Sequence, residues 1–259
     1  MIINNTATFN GNELTNISGL TILATDPYKP ARRKLSINDI ANSNKSKITS
    51  AYYKEKDITM RVGISRSTRA LLETSIDALL NILQGQEKSL ILSQSGTSRR
   101  YTCTYADFNV LLSGGSYIEL ELVFKTSDHF GYDINLSELL QVSNFTSGQK
   151  TDRITVSGSA PWQTPIITIT YTSITTGTSK AVRIGNDSTG QQISITRTWV
   201  TGDVLVIDVN AQTVKVNGTE VAFSGALPEW NTGVGYISYS DDFGARTYGM
   251  NVSYYKRYI

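Results

Sequence analysis

The last third of the chain is a succession of short strand patterns separated by turn residues. Residues 203–209 read Asp-Val-Leu-Val-Ile-Asp-Val, and Val214-Lys215-Val216 leads directly into the pair Asn217-Gly218. Alternation of apolar and polar residues is typical of a half-buried strand. Asn-Gly favours a tight hairpin, because both residues tolerate a positive φ. We therefore predict that this part of the chain is built from β-hairpins, and no catalytic motif interrupts it.

Strand patterns recur about every ten residues from Arg153 onward. They are Arg153–Ser157, Pro165–Tyr171, Lys180–Ile184, Gln192–Thr196, Val204–Val209, Thr213–Val216, Glu220–Phe223, Val234–Ser240 and Tyr248–Tyr255. This spacing is typical of a β-sandwich or a β-barrel.

One helix is predicted, over residues 67–84, because its apolar residues lie on a single stripe. The stripe consists of Leu72, Ile76, Leu79 and Leu83, widened by Leu80. Ser65 or Ser67 can cap its beginning, and Gly85 stands where a left-handed residue would end it. We expect the stripe to cover one face of a sheet.

The strands predicted for that sheet flank the helix on both sides. They are Thr6–Phe9, Leu20–Leu23, Ser50–Tyr53, Ile58–Ile64, Lys88–Ser93, Arg100–Val110 and Tyr117–Lys125. Residues 30–49 are polar and show no period, so they are predicted to be a loop. Alternation lapses again over 126–150, where Leu136–Val142 is predicted to form a short helical turn. We place two domains at 1–135 and 136–259, with the last strand allowed to return toward the first domain.

Charge is distributed unevenly along a chain whose net charge is only +2. Lys29 to Arg69 contains 11 Lys or Arg and 3 Asp or Glu, a net charge of +8. Such a segment can attract an acidic partner, and Arg32, Arg33 and Lys34 are its candidate interface residues. The simpler interpretation is a solvated loop.

The residues that most enzymes need are scarce. His129 is the single histidine, and Cys103 is the single cysteine. No Cys or His spacing fits a metal site, no glycine-rich segment ends as a phosphate loop does, and Asp241-Asp242 is interpreted as a turn. Cys103 is interpreted as a small buried hydrophobe within a strand. We expect no enzyme activity, no cofactor and no metal. No apolar run approaches the ~18 residues of a membrane helix.

All three tryptophans, Trp162, Trp199 and Trp230, follow the predicted domain boundary. Aromatic faces can stack on sugar rings, so these residues are candidates for carbohydrate contact. The alternative is packing inside the domain, with each indole N–H bonded to a carbonyl. We favour packing, because no polar cluster accompanies them in the sequence.

The order of these elements resembles the siphophage distal tail proteins over nearly the whole chain. The residues that carry the resemblance are 61–65, the helix with Leu72, Leu79 and Leu83, 88–90 and 100–103 in the first half, and 165–169, 184–190, 202–208, 214–218 and 252–258 in the second. Each motif is a common β pattern, and their order and spacing together are specific.

This resemblance implies a mainly β fold, with an N-terminal β-sandwich-like ring domain that carries one α-helix and a C-terminal galectin-like β-sandwich. It implies a homo-hexameric ring at the tip of a non-contractile phage tail, within the virion. The ring would stack on the tail tube protein and on the tail-hub (tail-associated lysin-like) protein, with DNA as passing cargo. The outer domain would meet receptor-binding proteins or a cell-surface glycan. The alternative function is a stand-alone carbohydrate-binding β-sandwich protein.

Overall fold

The computed structural model describes residues 5–26, 33–39, 46–54, 56–94 and 96–259. Their contacts divide the chain into two compact units, which are described separately. The first unit comprises Met1–Ile134 together with Ile259, and the second comprises Asn135–Tyr258. Both units are built mainly from antiparallel strands, so the predicted mainly β fold is confirmed.

The first unit contains one long antiparallel sheet and one separate hairpin. Its elements in chain order are β1 (Thr6–Phe9), β2 (Asn12–Glu13), a short 3-10 helix (Leu14–Asn16), β3 (Leu20–Thr25), β4 (Arg33–Asp39), β5 (Ser46–Tyr53), β6 (Asp57–Ser65), α1 (Arg69–Ile82), β7 (Lys88–Gln94), β8 (Thr97–Ser113) and β9 (Tyr117–Thr126). The sheet order is β3-β6-β9-β8-β7-β1-β2. In β9 the residues Ile118, Leu120, Leu122 and Phe124 are buried, as their alternation predicts.

The predicted helix is confirmed, although α1 is two residues shorter at each end than the range 67–84. Its N-cap is Thr68, not Ser65 or Ser67. The Thr68 hydroxyl accepts the backbone N–H of the residue three positions later at 3.3 Å, which is the bond that an N-cap must make. Gly85 has a φ of 101°, the left-handed conformation expected just beyond the helix.

The apolar stripe of α1 packs into the core of the first unit. Its members Leu72, Leu79 and Leu83 are buried, and Ile76 lies at the margin of the same core. That core also contains the inward residues of β6, such as Met60 and Val62. The polar Ser75 fits on this face because its hydroxyl donates to the carbonyl of Ser18 at 3.0 Å.

The prediction of a loop over residues 30–49 is wrong for the described part of that range. β4 pairs with β5 in an antiparallel hairpin, from Arg33 opposite Tyr53 to Asp39 opposite Ser46. Strand pairing satisfies the backbone N–H and C=O groups whatever the side chains are. A polar and basic composition therefore concealed β4 and the first half of β5, whose second half, Ser50–Tyr53, was predicted.

The second unit is a sandwich of two antiparallel sheets. Its elements are β10 (Gly131–Phe145, which spans the division between the units), β11 (Gln149–Val156), β12 (Pro165–Ile174), β13 (Gly177–Asn186), β14 (Gln191–Trp199), β15 (Val204–Asp208), β16 (Thr213–Val216), β17 (Thr219–Glu220), β18 (Ser224–Gly225), β19 (Gly233–Asp241) and β20 (Arg246–Tyr258). One sheet has the order β17-β16-β15-β12-β20-β10, and the other has the order β11-β19-β13-β14-β18. The inward residues of both sheets form one apolar core.

The hairpin predicted from Asn217-Gly218 is confirmed. The two residues have φ values of 51° and 81°, and they join β16 to β17. Asn217 also bonds outside its own turn, because its amide donates to Asp203 at 2.8 Å and its carbonyl oxygen accepts from Val204 N at 2.9 Å. The expected strand Glu220–Phe223 is not formed as such, since β17 ends at Glu220.

The helical turn predicted for Leu136–Val142 is wrong, because these residues lie within β10. Leu136, Leu139 and Leu140 have helical spacing in the sequence. In the structure Leu139, Leu140 and Val142 lie in a strand and pack against the core of the second unit. Tertiary pairing thus overrides the local pattern.

We expect Leu79→Ala to lower the free energy of unfolding by ~2–5 kcal/mol, because it removes a fully buried side chain from the helix stripe. Urea denaturation followed by circular dichroism measures the change. Leu71→Ala is the matched control, since Leu71 lies on the same helix and is 40% exposed. We expect the control to cost less than about 0.5 kcal/mol. Equal losses in the two variants would show that the stripe is not the packed face.

Candidate interaction surfaces

The most prominent surface feature of the first unit is the second half of β8. β7 pairs with β8 only from Thr97 to Cys103, whereas β9 pairs with β8 from Cys103 to Ser113. Within the described residues, the far edge of β8 beyond Tyr105 therefore has no neighbouring strand. Unpaired edges present a row of free backbone N–H and C=O groups that can bind another strand.

Apolar side chains line this unpaired edge. Phe108 and Val110 stand opposite Leu122 and Leu120 of β9 in the register. The two β9 residues are buried, whereas Phe108 is 37% and Val110 53% exposed. The core layer of the first unit thus continues onto β8 and ends there uncovered.

Two β-bulges shape the same strand, between Tyr105 and Asp107 and between Val110 and Leu112. Leu111 is the extra residue of the second bulge, and both Leu111 and Leu112 are exposed. Large exposed apolar patches of this kind mark interaction sites. The sequence prediction ended this strand at Val110. The signal it overlooked is the apolar run Val110-Leu111-Leu112, which stands just before Ser113 and the turn at Gly114-Gly115 and needs cover on both faces.

The opposite margin of the same four strands is also unpaired. β3 pairs with β6 alone among the described strands, and its Leu23 is 44% exposed. The strands β3, β6, β9 and β8 are successively antiparallel. Because the number of strands is even, β3 and β8 run in opposite directions.

The structure describes the predicted basic interface only in part. Arg32 lies outside the described residues, and of Arg33 only its backbone place in β4 is described. Lys34 is exposed on the same strand. Lys56, from the same basic segment, faces inward: it is buried, its ammonium lies 5.2 Å from the centre of the Tyr101 ring, and burial lowers its pKa to about 8. The interface assigned to Arg32, Arg33 and Lys34 stays a prediction.

Two of the three tryptophans cannot stack on a sugar. Trp199 and Trp230 are buried in the core of the second unit. Their indole N–H groups donate to the carbonyls of Lys180 at 3.0 Å and Tyr236 at 3.2 Å. The stacking interpretation is therefore wrong for this pair, and packing is the correct one. Trp162 is 37% exposed and stays a candidate for carbohydrate contact.

A buried polar cluster occupies the core near the start of β20. Asp241, interpreted from the sequence as part of a turn, is the last residue of β19, and its carboxylate is wholly buried. It accepts from the Tyr239 hydroxyl at 2.6 Å and pairs with Arg246 at 2.9 Å. Tyr239 stacks on Tyr248 with ring centres 4.3 Å apart, and burial raises the pKa of both phenols. This cluster stabilises the sandwich and has no access to a ligand.

An open groove of about 550 Å³ lies between β14 and the hairpin of β16 and β17. Two of its polar residues already have partners within the unit. Arg197 donates to the carbonyl of Thr198 at 3.1 Å, and Asn217 bonds with Asp203 and Val204. The guanidinium and the amide that line the groove are therefore already engaged within the unit.

The single histidine and the single cysteine each pack against neighbouring residues of the first unit. His129 contacts the edge of the Phe130 ring with ring centres 6.2 Å apart. Cys103 is fully buried within β8, as predicted, and burial raises its pKa to about 12. In the described part of the chain, no group of three or more His, Cys, Asp or Glu side chains could hold a metal ion. Likewise, no described helix is long and apolar enough to cross a membrane.

Solved structures with the same fold come from phage tails. The Dit protein of phage SPP1, described as a paradigm of the hub adsorption apparatus in phages that infect Gram-positive bacteria, is 13% identical with a TM-score of 0.76, and the match covers 98% of this chain and 99% of that chain. A chain of the phage p2 baseplate in its activated conformation with strontium is 8% identical with a TM-score of 0.50, covering 95% of this chain and 97% of that chain. A search of curated proteins finds no match. The fold of this chain is thus that of the SPP1 Dit protein and of the p2 baseplate chain.

Part of the second unit also matches a known sequence family. Residues 157–227 match the family described as Siphovirus-type tail component, C-terminal domain. This match and the fold shared with the SPP1 Dit protein confirm the predicted resemblance to siphophage distal tail (Dit) proteins.

We expect Cys103 in the native protein to resist thiol reagents, because a thiol with a pKa of about 12 is ionised in about one molecule in 10,000 at pH 8. The measurement is the reaction with Ellman's reagent, before and after unfolding in guanidinium chloride. Release should be slow in the native state and complete after unfolding. Cys103→Ser supplies the blank. Fast reaction of the folded protein would mean that this strand opens readily or that the thiol is accessible.

Proposed function

We propose that six copies of this chain form a ring at the tip of a non-contractile phage tail. The ring joins the tail tube protein above to the tail-hub protein below, and the second unit meets receptor-binding proteins or the host surface. The chain acts through assembly geometry and is not an enzyme. The number six and the identity of the partners follow from the resemblance to distal tail proteins.

The uncovered edge of β8 is the observation that carries this proposal. A closed ring requires a heterologous contact, in which one patch of a subunit meets a different patch of the next. The first unit offers two such patches at opposite margins of the same four strands, the edges of β8 and β3. Pairing β8 of one copy with β3 of the next would satisfy both edges and cover Phe108 and Val110.

Strand direction is consistent with such pairing around a whole ring. Because β3 and β8 run in opposite directions within one copy, a next copy rotated about a ring axis parallel to the strands presents its β3 antiparallel to β8. Each contact then continues the antiparallel pattern of the sheet. The backbone bonds contribute about 1 kcal/mol each, and each apolar side chain that becomes buried adds roughly 1.5–3 kcal/mol.

We expect the double variant Val110→Asp/Leu112→Asp to prevent ring formation, because two carboxylates would have to be buried without partners at the contact. Sedimentation velocity over a range of concentrations measures the assembly state. The unaltered chain should reach the mass of six chains of 28.5 kDa, and the double variant should remain a monomer.

Val200→Asp is the matched control, since Val200 is 47% exposed in the second unit and lies far along the chain from β8. It should assemble normally. Thermal denaturation of all three proteins separates lost assembly from lost folding. A double variant that still forms hexamers would refute the β8 contact. An unaltered chain that stays monomeric at every concentration would favour the stand-alone carbohydrate-binding protein.

A further inference from the structure

The outward face of the five-stranded sheet in the second unit carries an aromatic side chain that the core does not use. In β19 the residues Gly235, Ile237 and Tyr239 are buried, so Tyr236 points away from the core and is 44% exposed. β19 lies between β11 and β13, inside the sheet. The outer face of such a sheet is usually polar. An exposed tyrosine on an inner strand is therefore a candidate for recognition.

Polar side chains surround this ring. The register places Arg153 of β11 directly opposite Tyr236, and Thr151 opposite Ser238. Directly opposed residues on one face have Cβ atoms roughly 5 Å apart. The Thr151 hydroxyl donates to the carboxylate of Asp187 at 3.2 Å. A guanidinium, a carboxylate and two hydroxyls are thus gathered beside one aromatic ring.

The backbone beneath the ring is held from two sides. The carbonyl of Tyr236 accepts the backbone N–H of Asp187 and the indole N–H of Trp230, both at 3.2 Å. The turn that carries Asp187 is itself held by the buried Asn186, whose amide donates to the carbonyl of Glu229 at 2.6 Å and whose oxygen accepts from Ser188 N at 2.9 Å. Recognition residues held in place before binding lose less conformational entropy when they bind.

The strand next to the ring carries a glycine beside the Ser238 hydroxyl. Gly185 pairs with Ser238 across β13 and β19, and a Cβ on Gly185 would lie only 3.0 Å from the Ser238 hydroxyl. Gly185 is buried, and the same Cβ would also lie 3.0 Å from the carbonyl oxygen of Gln191, so a glycine here lets the strands pack closely and keeps the Ser238 hydroxyl in place beside Tyr236.

Charges on this face occur in balanced numbers. Arg153 and Asp187 flank Tyr236, and Arg183 pairs with Asp242 at 2.8 Å farther along the sheet. Two cations and two anions leave no net charge to attract an anionic ligand. Aromatic, guanidinium, carboxylate and hydroxyl groups together suit a neutral ligand with many hydroxyls and an apolar C–H face.

We propose that Tyr236, Arg153, Asp187, Thr151 and Ser238, the Tyr236 face, bind a neutral pyranose unit of a cell-surface glycan. The C–H face of the sugar stacks on Tyr236, and its hydroxyls donate to Asp187 and accept from Arg153. This inference rests on the proposed role of the second unit at the host surface and names the chemistry of its ligand.

The test is a titration of the full-length protein with methyl glycosides of glucose, galactose and N-acetylglucosamine, followed by chemical-shift changes in NMR spectra. Glucuronic acid is the anionic probe. At least one neutral sugar should bind with a millimolar dissociation constant, and glucuronic acid should bind more weakly. Tyr236→Ala should weaken binding at least about tenfold, and Tyr236→Phe should retain it, because the stacking ring remains.

Phe223→Ala is the matched control, because Phe223 is 37% exposed in the same unit and lies outside the Tyr236 face. It should bind sugar as the unaltered protein does. Asp187→Asn is a second test and should also weaken binding, since a carboxylate accepts stronger hydrogen bonds than an amide. The inference is overturned if no neutral sugar binds at high millimolar concentration, if Tyr236→Ala binds normally, or if the anionic sugar binds best. Sedimentation of the same variants reports ring formation independently, so failure here leaves the ring proposal standing.

Discussion

The row of core residues that ends uncovered at β8 is the constraint on which the role of the first unit depends. Phe108 and Val110 continue the buried row of Leu122 and Leu120 on β9, yet no described element covers them. Apolar area left in water costs about 25 cal/mol per Å². The strand edge beside these side chains also has unpaired backbone groups. In monomeric proteins, edges of this kind are protected by charged residues, by proline or by a covering element. Here four of the five residues at positions 108–112 are apolar and exposed, so the edge lacks such protection among the described residues.

In the second unit the apolar faces of the two sheets cover each other. Its two sheets bury one common core, in which Trp199 and Trp230 satisfy their indole N–H groups on backbone carbonyls. Asp241 is buried with both Arg246 and the Tyr239 hydroxyl as partners. Breaking a buried charge pair by removing one partner commonly costs about 3–5 kcal/mol. The core polar groups therefore favour one packing arrangement and leave the outward faces free to vary.

Buried residues of the sandwich also hold in place the surface residues that we propose for recognition. Trp230, which the sequence offered as a sugar-stacking residue, acts from below, where its indole N–H holds the carbonyl of Tyr236. The buried Asn186 fixes the turn that carries Asp187. Side chains supported by a packed layer beneath them keep their positions better than side chains on free loops. The exposed aromatic residue on this face is instead Tyr236, which no motif in the sequence had singled out.

Local periodicity was enough to predict much of this fold. The stripe of α1, the alternation of β9 and the Asn217-Gly218 turn each depend on residues within a few positions of one another, so the sequence by itself determined them. The order of these elements also sufficed to predict the resemblance to siphophage distal tail proteins. Other features depend on which strands become neighbours across long separations. Leu136, Leu139 and Leu140 have helical spacing but lie in β10, because sheet pairing there outweighs local preference. The burial of Trp199 and Trp230, the exposure of Tyr236 and the free edge of β8 were decided only by the tertiary structure, since a side chain's burial depends on what packs over it.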